Sequence, residues 1–577
     1  MIPIAIDSGS GLGRPQAAAW PSRAFQVAVT ALVAFLVLLP LLPLAVQAFI
    51  DKPLYEAAPR FTVDAFGRLL ASGEFWDVLW NTVKFAVAST FIAQFFGIAG
   101  TILIARTNLP GRRVAGAVFI WPLFVSHLVL AFGWIVGFGP SGFISGFAAQ
   151  LLGGEVPWNL YSLTGLSIAA GTSLAPLTYL YCMSSVKTID PSLESAARIS
   201  GCGPLKSLWT ITLPLLKPAI WSSATLNFVL AIELLALPLL LGGPVGMQFL
   251  TTFLYSHGIE ANNPDYSIVA ACALLMIGVI SLLIVWQTRS MGDSRRYVTV
   301  GGKATRQRLL DLGAWRWPLF IMVNLYLGIT VWCVLGAVIL RSVTTAFSPF
   351  VPFSELLTLD NYRALVEFPE YVRSIKNTVL VAIGGGAVGT ALVAATALVS
   401  IRSDWFLRKP LQFVALYPRA VPGLLIGIGV FWAVAWVPGL KFMQNTIWIL
   451  MFALLMRHFP TGLGAVTPSV LQISQDLDNS ARVGGATWLA AAWHIVLPQL
   501  RTSLAACFIL MVVHFIKEYA SVVFLFGPGS EMLGTTMLTF WVQGEQGAVA
   551  ALAVLQIALI VVFLALFRLI FKVKLYG

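Results

Sequence analysis

Twelve long apolar runs decide what this chain can fold into. An α-helix needs roughly 20 mostly apolar residues to cross the hydrocarbon core of a bilayer, and each run is long enough. Only 10% of the 577 residues are charged, against roughly 25% in a soluble domain. The pattern therefore predicts an all-α polytopic membrane protein with about 12 transmembrane helices. The runs lie near residues 25–49, 80–105, 114–138, 162–185, 219–242, 266–287, 317–341, 376–400, 411–436, 446–469, 501–526 and 547–571.

The charges between these runs predict the orientation of the chain. The turn at 106–113 has three arginines and no acid, and the connector 287–316 has seven Lys or Arg against two Asp. Segments 243–265 and 528–545 contain acids but neither Lys nor Arg. Because Lys and Arg accumulate in cytoplasmic loops, we expect both termini and the connector in the cytoplasm. The net charge of +12 follows from this bias, so we expect anionic membrane lipid as a partner and no nucleic acid.

The two halves of the chain repeat each other. FTVDAF at 61–66 matches LTLDNY at 357–362, and Pro122 matches Pro418, at an offset of 296. Further on the offset is 284, as between Pro176 and Pro460, so the second half lacks twelve residues near the external segment 139–160. Six spans per half give a parallel repeat with a translocation path where the halves meet. The predicted units are a cytoplasmic tail 1–24, a first transmembrane domain 25–287, a basic linker 288–316 and a second transmembrane domain 317–577.

One polar segment occurs in two similar copies, one in each half. LESAARISGCGPLKSLWTITLP occupies 193–214 and LDNSARVGGATWLAAAWHIVLP occupies 477–498. Each copy predicts a short helix, with Asp190 or Ser474 as its cap and Gly201 or Gly485 as its stop. Small residues on a short helix let another backbone approach closely. We therefore expect each helix to dock in a groove of a cytoplasmic partner, and two copies indicate a homodimeric partner.

The residue spacing within these two polar segments resembles that of the EAA loop of ABC importer permeases. The whole chain is similar to the fused two-domain permeases of iron(III)-type importers, with further matching stretches at 229–244, 296–303 and 416–427. The resemblance implies a type I ABC importer permease fold in the bacterial inner membrane, with coupling loops at 188–218 and 472–500. Ser195 and Asn479 stand where the family usually has Glu. The coupling residues it implies are Glu194, Ser195, Ala196, Ala197, Arg198 and Gly201, then Asp478, Asn479, Ser480, Ala481, Arg482 and Gly485.

The resemblance also implies the partners. This chain has no GxxxxGK[ST] sequence, so ATP and Mg would bind to a separate ATPase, which the resemblance implies to be a homodimer. We expect no cofactor in the chain itself. A periplasmic or lipid-anchored binding protein would deliver the solute. Ferric iron is one possible cargo, and related permeases serve thiamine, polyamines, phosphonates or sugar phosphates.

Ionisable residues inside the spans are candidates for the translocation path. Glu233 lies in the fifth span, and its repeat counterpart is Lys517 or Glu518, which leaves its partner open. Arg457 is interpreted as a residue near the cytoplasmic end of its span that extends its charge to the interface. Structural or gating roles are favoured over direct contact with cargo. The path candidates are His127, Glu233, Arg419, His514, Lys517 and Glu518.

Two other classes of membrane protein are weighed against this one. A secondary transporter with twelve spans would need a coupling-ion site and would not need two docking loops. A membrane enzyme is disfavoured because the five His form no HExxH pattern and no nucleophile elbow is present. The five Cys are scattered without metal-ligand spacing, so we expect neither a catalytic site nor a metal site.

Overall fold

The computed structural model describes residues 16–56, 58–290, 309–345 and 351–571. Parts of the predicted tail and linker, and the stretch 296–303, lie outside the described residues. Apart from three isolated β-bridges, the described chain is helical and irregular. Each half begins with one membrane helix that is followed by a short helix lying before the second span.

The first helix of the chain, α1, begins within the predicted tail, at Gln16. The first half contains helices α1 to α12. Their bounds are α1 Gln16–Gln47, α2 Asp64–Ala71, α3 Gly73–Arg106, α4 Arg112–Ile120, α5 His127–Phe138, α6 Phe143–Leu152, α7 Leu163–Thr188, α8 Pro191–Ile199, α9 Pro204–Ser207, α10 Leu213–Glu233, α11 Leu250–Tyr255 and α12 Tyr266–Ser290.

The second half contains helices α13 to α26. Their bounds are α13 Arg316–Leu327, α14 Val334–Ser342, α15 Phe353–Leu356, α16 Asp360–Glu367, α17 Pro369–Arg402, α18 Arg408–Leu416, α19 Gly423–Trp436, α20 Ile447–Gln472, α21 Asp476–Val483, α22 Trp488–Ala491, α23 Leu497–Gln499, α24 Arg501–Lys517, α25 Leu533–Val542 and α26 Gln546–Phe571.

The number of spans agrees with the sequence. Within the described residues, ten helices are long and apolar enough to cross a membrane, and two bent helix pairs raise the total to twelve. The bends measure 113° between Arg408–Ala420 and Gly423–Trp436, and 75° between Trp488–Gln499 and Arg501–Lys517. The first bend lies at Pro418 and Pro422, since proline removes a backbone donor and crowds the preceding turn.

Three predicted spans were wrong as continuous helices. The run 114–138 is interrupted between α4 and α5, the run 219–242 because α10 ends at Glu233, and the run 501–526 because α24 ends at Lys517. Side chains satisfy the backbone groups freed after Glu233: Thr251 Oγ1 donates to the Leu234 carbonyl over 2.7 Å. Irregular backbone inside a membrane protein is stable where it is satisfied in this way.

The helices confirm the repeat. Helices α3 and α17 each have 34 residues and start 296 positions apart, whereas α7 and α20 each have 26 residues and start 284 positions apart. The offset therefore changes between the third and fourth spans of each half. There the first half has α6, and the second half has a short 3-10 turn at Pro438–Met443.

The first membrane span of each half packs against the other half. Helix α1 contacts α18 and α19, and α14, the last part of the span Gly313–Ser342, contacts α5. Two glycines 296 positions apart permit this approach: a Cβ on Gly133 would lie 2.5 Å from Val334, and one on Gly429 would lie 2.6 Å from the Pro40 carbonyl oxygen. Residues of both halves therefore share one large hydrophobic cluster that includes these exchanged helices.

Candidate functional site

The two repeated loops have the same backbone. Gly201 and Gly485 end their helices with φ of +79° and +86°, a left-handed conformation that glycine adopts without strain. The Cys202 N–H donates to Ala197 O over 2.9 Å, and the Ala486 N–H donates to Ala481 O over 3.0 Å. Both short helices therefore end in the hydrogen-bonded turn that commonly stops a helix.

A short π-helical segment follows each of these turns. The segments are Leu208–Thr212 and Ala492–Val496, again 284 positions apart. Each π-helical segment leads into the Leu-Pro pair that ends the repeated polar segment. The repeat therefore extends from sequence to an uncommon backbone form.

Each loop exposes large apolar side chains at matching positions. Ile199 is 89% exposed and Val483 is 91% exposed, while Trp209 and Trp493 are 70% and 64% exposed. Both pairs are separated by 284 residues. These four residues were not predicted as candidates, although an alignment of the two loops at that offset pairs them. Exposed apolar side chains at the same positions of two repeats indicate an interaction surface.

Arg402 at the end of α17 holds the second loop in place. Its guanidinium donates to the carbonyls of Ile473 and Ser474 over 2.6 and 3.1 Å, and pairs with Asp478 at 2.9 Å. The Arg402 side chain is only 4% exposed. Arg106 ends α3 at the matching position and is 2% exposed.

Apart from Gly201 and Gly485, the predicted coupling residues lie on these short helices. In the first loop Asp190 Oδ1 accepts the Ser192 N–H over 2.8 Å, as expected of a cap, and this hydrogen bond holds the pKa of Asp190 below its usual value. Ala196 and Ala197 are described there, whereas the side chains of Glu194, Ser195 and Arg198 lie outside the described ones. In the second loop no residue of α21, which includes Asn479, Ser480, Ala481 and Arg482, is buried.

All six path candidates line one cavity of about 500 Å³. It lies between the halves: α7 and α10 contribute Ser173 and Glu233, and α20 and α24 contribute Arg457 and Lys517. The candidates that surround it are His127, Glu233, Arg419, His514, Lys517 and Glu518.

The partner of Glu233 is Arg457. The two side chains form an ion pair at 2.5 Å and are 6% and 18% exposed. Arg457 also donates to the Val421 carbonyl at the break before α19, over 2.9 Å. The interpretation of Arg457 as an interfacial residue was wrong, because it is the eleventh of the 26 residues of α20 and faces the cavity.

Further contacts cross the boundary between the halves. Lys517 Nζ donates to the Leu123 carbonyl over 2.6 Å, and the Ala236 N–H donates to Tyr519 Oη over 2.8 Å. Leu123 belongs to the break between α4 and α5, so a charged side chain of the second half satisfies a freed carbonyl of the first.

A histidine pair completes the wall of the cavity. His458 Nε2 lies 3.1 Å from Glu518 Oε2, and Glu518 Oε1 accepts the Ser521 N–H over 3.2 Å. The rings of His458 and His514 are 4.9 Å apart. Among the described residues no group of three or more His, Cys, Asp or Glu is arranged to hold a metal ion.

Together, the exchanged first helices, the twin loops and the cavity between the halves define a two-domain membrane permease. The model of the family "Binding-protein-dependent transport system inner membrane component" matches residues 97–291 and 387–573, and the chain belongs to this family. It is thus a multi-pass inner-membrane protein and the non-catalytic permease component of a binding-protein-dependent ABC importer, which implies ATPase and binding-protein partners.

Several relatives are similar over most or half of the chain. The ferric transport system permease protein FbpB of Actinobacillus pleuropneumoniae is 26% identical over 555 residues, covering 93% of this chain and 77% of the relative. A putative ferric transport system permease protein, FbpB 1 of Haemophilus influenzae, is 25% identical over 506 residues, covering 86% and 76%. The putative 2-aminoethylphosphonate permease PhnU of Salmonella typhi is 28% identical over 270 residues, covering 45% and 90%.

One solved structure is similar to part of the chain. It is a bacterial ABC transporter involved in the import of the acidic polysaccharide alginate, at 16% identity and a TM-score of 0.36. The match covers 44% of this chain and 96% of the other.

Proposed function

We propose that this chain moves ferric iron across the inner membrane and is driven by a homodimeric ATPase that binds the loops 188–218 and 472–500. Both termini and both loops face the cytoplasm, and the predicted domains 25–287 and 317–577 act as the two moving bodies. ATP and Mg bind to the ATPase. A periplasmic or lipid-anchored binding protein delivers iron at the opposite face.

The observation that carries the coupling role is the matched exposure of Ile199 and Val483. An apolar side chain that is about nine-tenths exposed at the same position of two repeats gains stability when a partner covers it. The two copies are equivalent in backbone, so each suits the same groove on one subunit of a symmetric dimer. Arg402 supports this role because it fixes the second loop to the long helix α17.

The cavity supports a path that is closed in this conformation. Glu233–Arg457 and Lys517–Leu123 each join one half to the other. Closure of the ATPase dimer would draw the loops together and rock the halves as rigid bodies. Opening the path requires these contacts to part, so they act as an interlock that transport must release.

The cargo assignment rests on the relatives named as ferric permeases, which match along 93% and 86% of the chain. Both carboxylates of the cavity already have partners, Glu233 in Arg457 and Glu518 in His458. Oxygen ligands suit a hard cation such as Fe(III), and here they become available only when the partners separate. We therefore propose that iron crosses without a strong resting site.

An anionic cargo such as a phosphonate is the second candidate. The cavity holds Arg419, Arg457 and Lys517 against two glutamates, which favours an anion. The phosphonate permease, however, matches only 45% of the chain.

Transport into proteoliposomes distinguishes these cargoes. The vesicles would contain this chain, its ATPase and its binding protein, and would be supplied with radioactive Fe(III) or with labelled 2-aminoethylphosphonate. We expect ATP-dependent uptake of iron and none of phosphonate. Phosphonate uptake without iron uptake would reverse the cargo assignment, and uptake of neither would overturn both.

A further inference from the structure

A second, larger groove lies between the halves, away from the central cavity. It has a volume of about 1670 Å³, well above the roughly 300–1,000 Å³ of a typical small-molecule pocket. Helices α4 and α7 of the first half form one side, and α26 of the second half forms the other. Its apolar walls include Trp121, Phe124, Leu180, Met183 and Leu564.

One end of this groove is basic. Arg112, Arg113, Lys187 and Arg568 line it, and no Asp or Glu is among the described lining residues. The second half reproduces this arrangement only in part: Arg408 and Lys409 are the repeat counterparts of Arg112 and Arg113, but the counterpart of Lys187 is Leu471. Residues of both halves together form the basic end of the groove.

The apolar side of the groove continues onto the outer surface of α26. Val562, Leu566 and Leu569 on that helix are 51%, 49% and 74% exposed, as expected of a surface in contact with acyl chains. A cationic cargo would be repelled by the four basic residues, which argues against this groove as an exit for iron. Its shape and charge suit an amphiphile with an anionic head.

We propose that this groove binds one anionic phospholipid of the cytoplasmic leaflet. The acyl chains lie along Trp121, Phe124 and Leu564, and the phosphate lies among Arg112, Arg113, Lys187 and Arg568. Because both halves form the groove, the bound lipid joins them on the cytoplasmic side. This inference rests on the orientation given under the proposed function.

Trp121 provides a direct probe. The full chain would be placed in phosphatidylcholine nanodiscs that contain either brominated-acyl phosphatidylglycerol or brominated-acyl phosphatidylcholine. The Trp121 signal is the difference between wild-type and Trp121→Phe emission. We expect brominated phosphatidylglycerol to quench it at a lower mole fraction than brominated phosphatidylcholine.

Charge variants test the head-group contact. Arg113→Gln and Arg568→Gln should each raise the mole fraction needed for half-quenching about fivefold. Lys409→Gln, at the repeat counterpart of Arg113, should leave it unchanged. Millimolar inorganic phosphate should not reverse the quenching.

Three results would overturn the proposal: equal quenching by the two lipids, quenching that the arginine variants do not alter, or reversal by free phosphate. Absence of any Trp121-dependent quenching would also overturn it. The measurement needs neither ATPase nor iron, so its failure is distinct from failure of the transport proposal. Native mass spectrometry of the purified chain gives an independent readout, with retained phosphatidylglycerol expected in wild type and lost in the double variant R113Q/R568Q.

Discussion

Glu233 in the first half and Arg457 in the second half form an ion pair across the cavity at 2.5 Å. Glu233 is the last residue of α10, and Arg457 lies ~15 Å along α20 from its start at 1.5 Å per residue. The pair therefore lies deep within the helical bundle, where an unpaired charge is costly. Its position makes it the clearest candidate for a contact that transport breaks and remakes.

Glu233→Gln and Arg457→Gln should each destabilise the purified protein by about 3 kcal/mol, because each leaves the other charge buried without a partner. The double variant should lose less than the sum of the two. Thermal unfolding in detergent measures this coupling. Arg373→Gln is the matched control, because its pair with Glu531 is 41% and 17% exposed and should contribute less than about 1 kcal/mol. Additive losses of stability would show that Glu233 and Arg457 are not coupled, and would contradict their role as a contact that transport must break.

Gly201→Ala and Gly485→Ala should each strain a left-handed turn by about 1–2 kcal/mol, and Gly201→Pro or Gly485→Pro should prevent it. We expect ATP-dependent uptake to fall in the alanine variants and to be lost in the proline variants, with normal insertion in the membrane. Neighbouring Gly203→Ala and Gly484→Ala are the controls, because these glycines do not have positive φ. Normal uptake in both proline variants would exclude the loops from coupling.

Ile199→Asp and Val483→Asp should each weaken ATPase binding at least about tenfold, or ~1.4 kcal/mol, because a charge replaces an apolar contact. Binding of the ATPase to the chain in nanodiscs measures this affinity. Val542→Asp, at an exposed apolar site on α25, controls for general effects of a new surface charge. If the loop variants bind as wild type does, these side chains are not the docking contact.

Glu531 should make stability depend on acid pH. Burial alone raises its pKa, but hydrogen bonds from Arg373 and from the Gly529 N–H outweigh this and hold the pKa below the usual value. A lowered folded-state pKa contributes stability that is present above the unfolded value of about 4.3 and is lost as pH falls through the folded value. Glu531→Gln and Arg373→Gln should therefore flatten the decline of thermal stability below about pH 4. An unchanged profile in Glu531→Gln would contradict this assignment.

The sequence predicted the architecture because membrane spans depend on long apolar runs, which are visible without tertiary information. The repeat offsets of 296 and 284 likewise appear in helices α3, α7, α17 and α20. The breaks after Glu233 and Lys517 were not predictable in this way. After Glu233, both Leu234 and Ala236 lie in an apolar run. The side chains that bind their backbone groups belong to Thr251 and Tyr519, which are distant in sequence.

The partner of Glu233 was also hidden from the sequence. Repeat comparison pointed to Lys517 or Glu518, which occupy the matching end of α24, whereas the contact is made with a different helix. The counterpart of Arg457 is Ser173, so the repeat provides no second charge at that position. Only the packing of α20 against the break before α19 brings Arg457 to the cavity.

We infer that two ATPase subunits bind this chain through its two repeated loops. The most direct measurement is the mass of the intact complex, purified in mild detergent with ATP trapped, for wild type and for I199D, V483D and I199D/V483D. We predict two ATPase subunits per wild-type chain, weakened retention in each single variant and none in the double variant. A wild-type chain without ATPase, or a double variant that still retains two subunits, would contradict it.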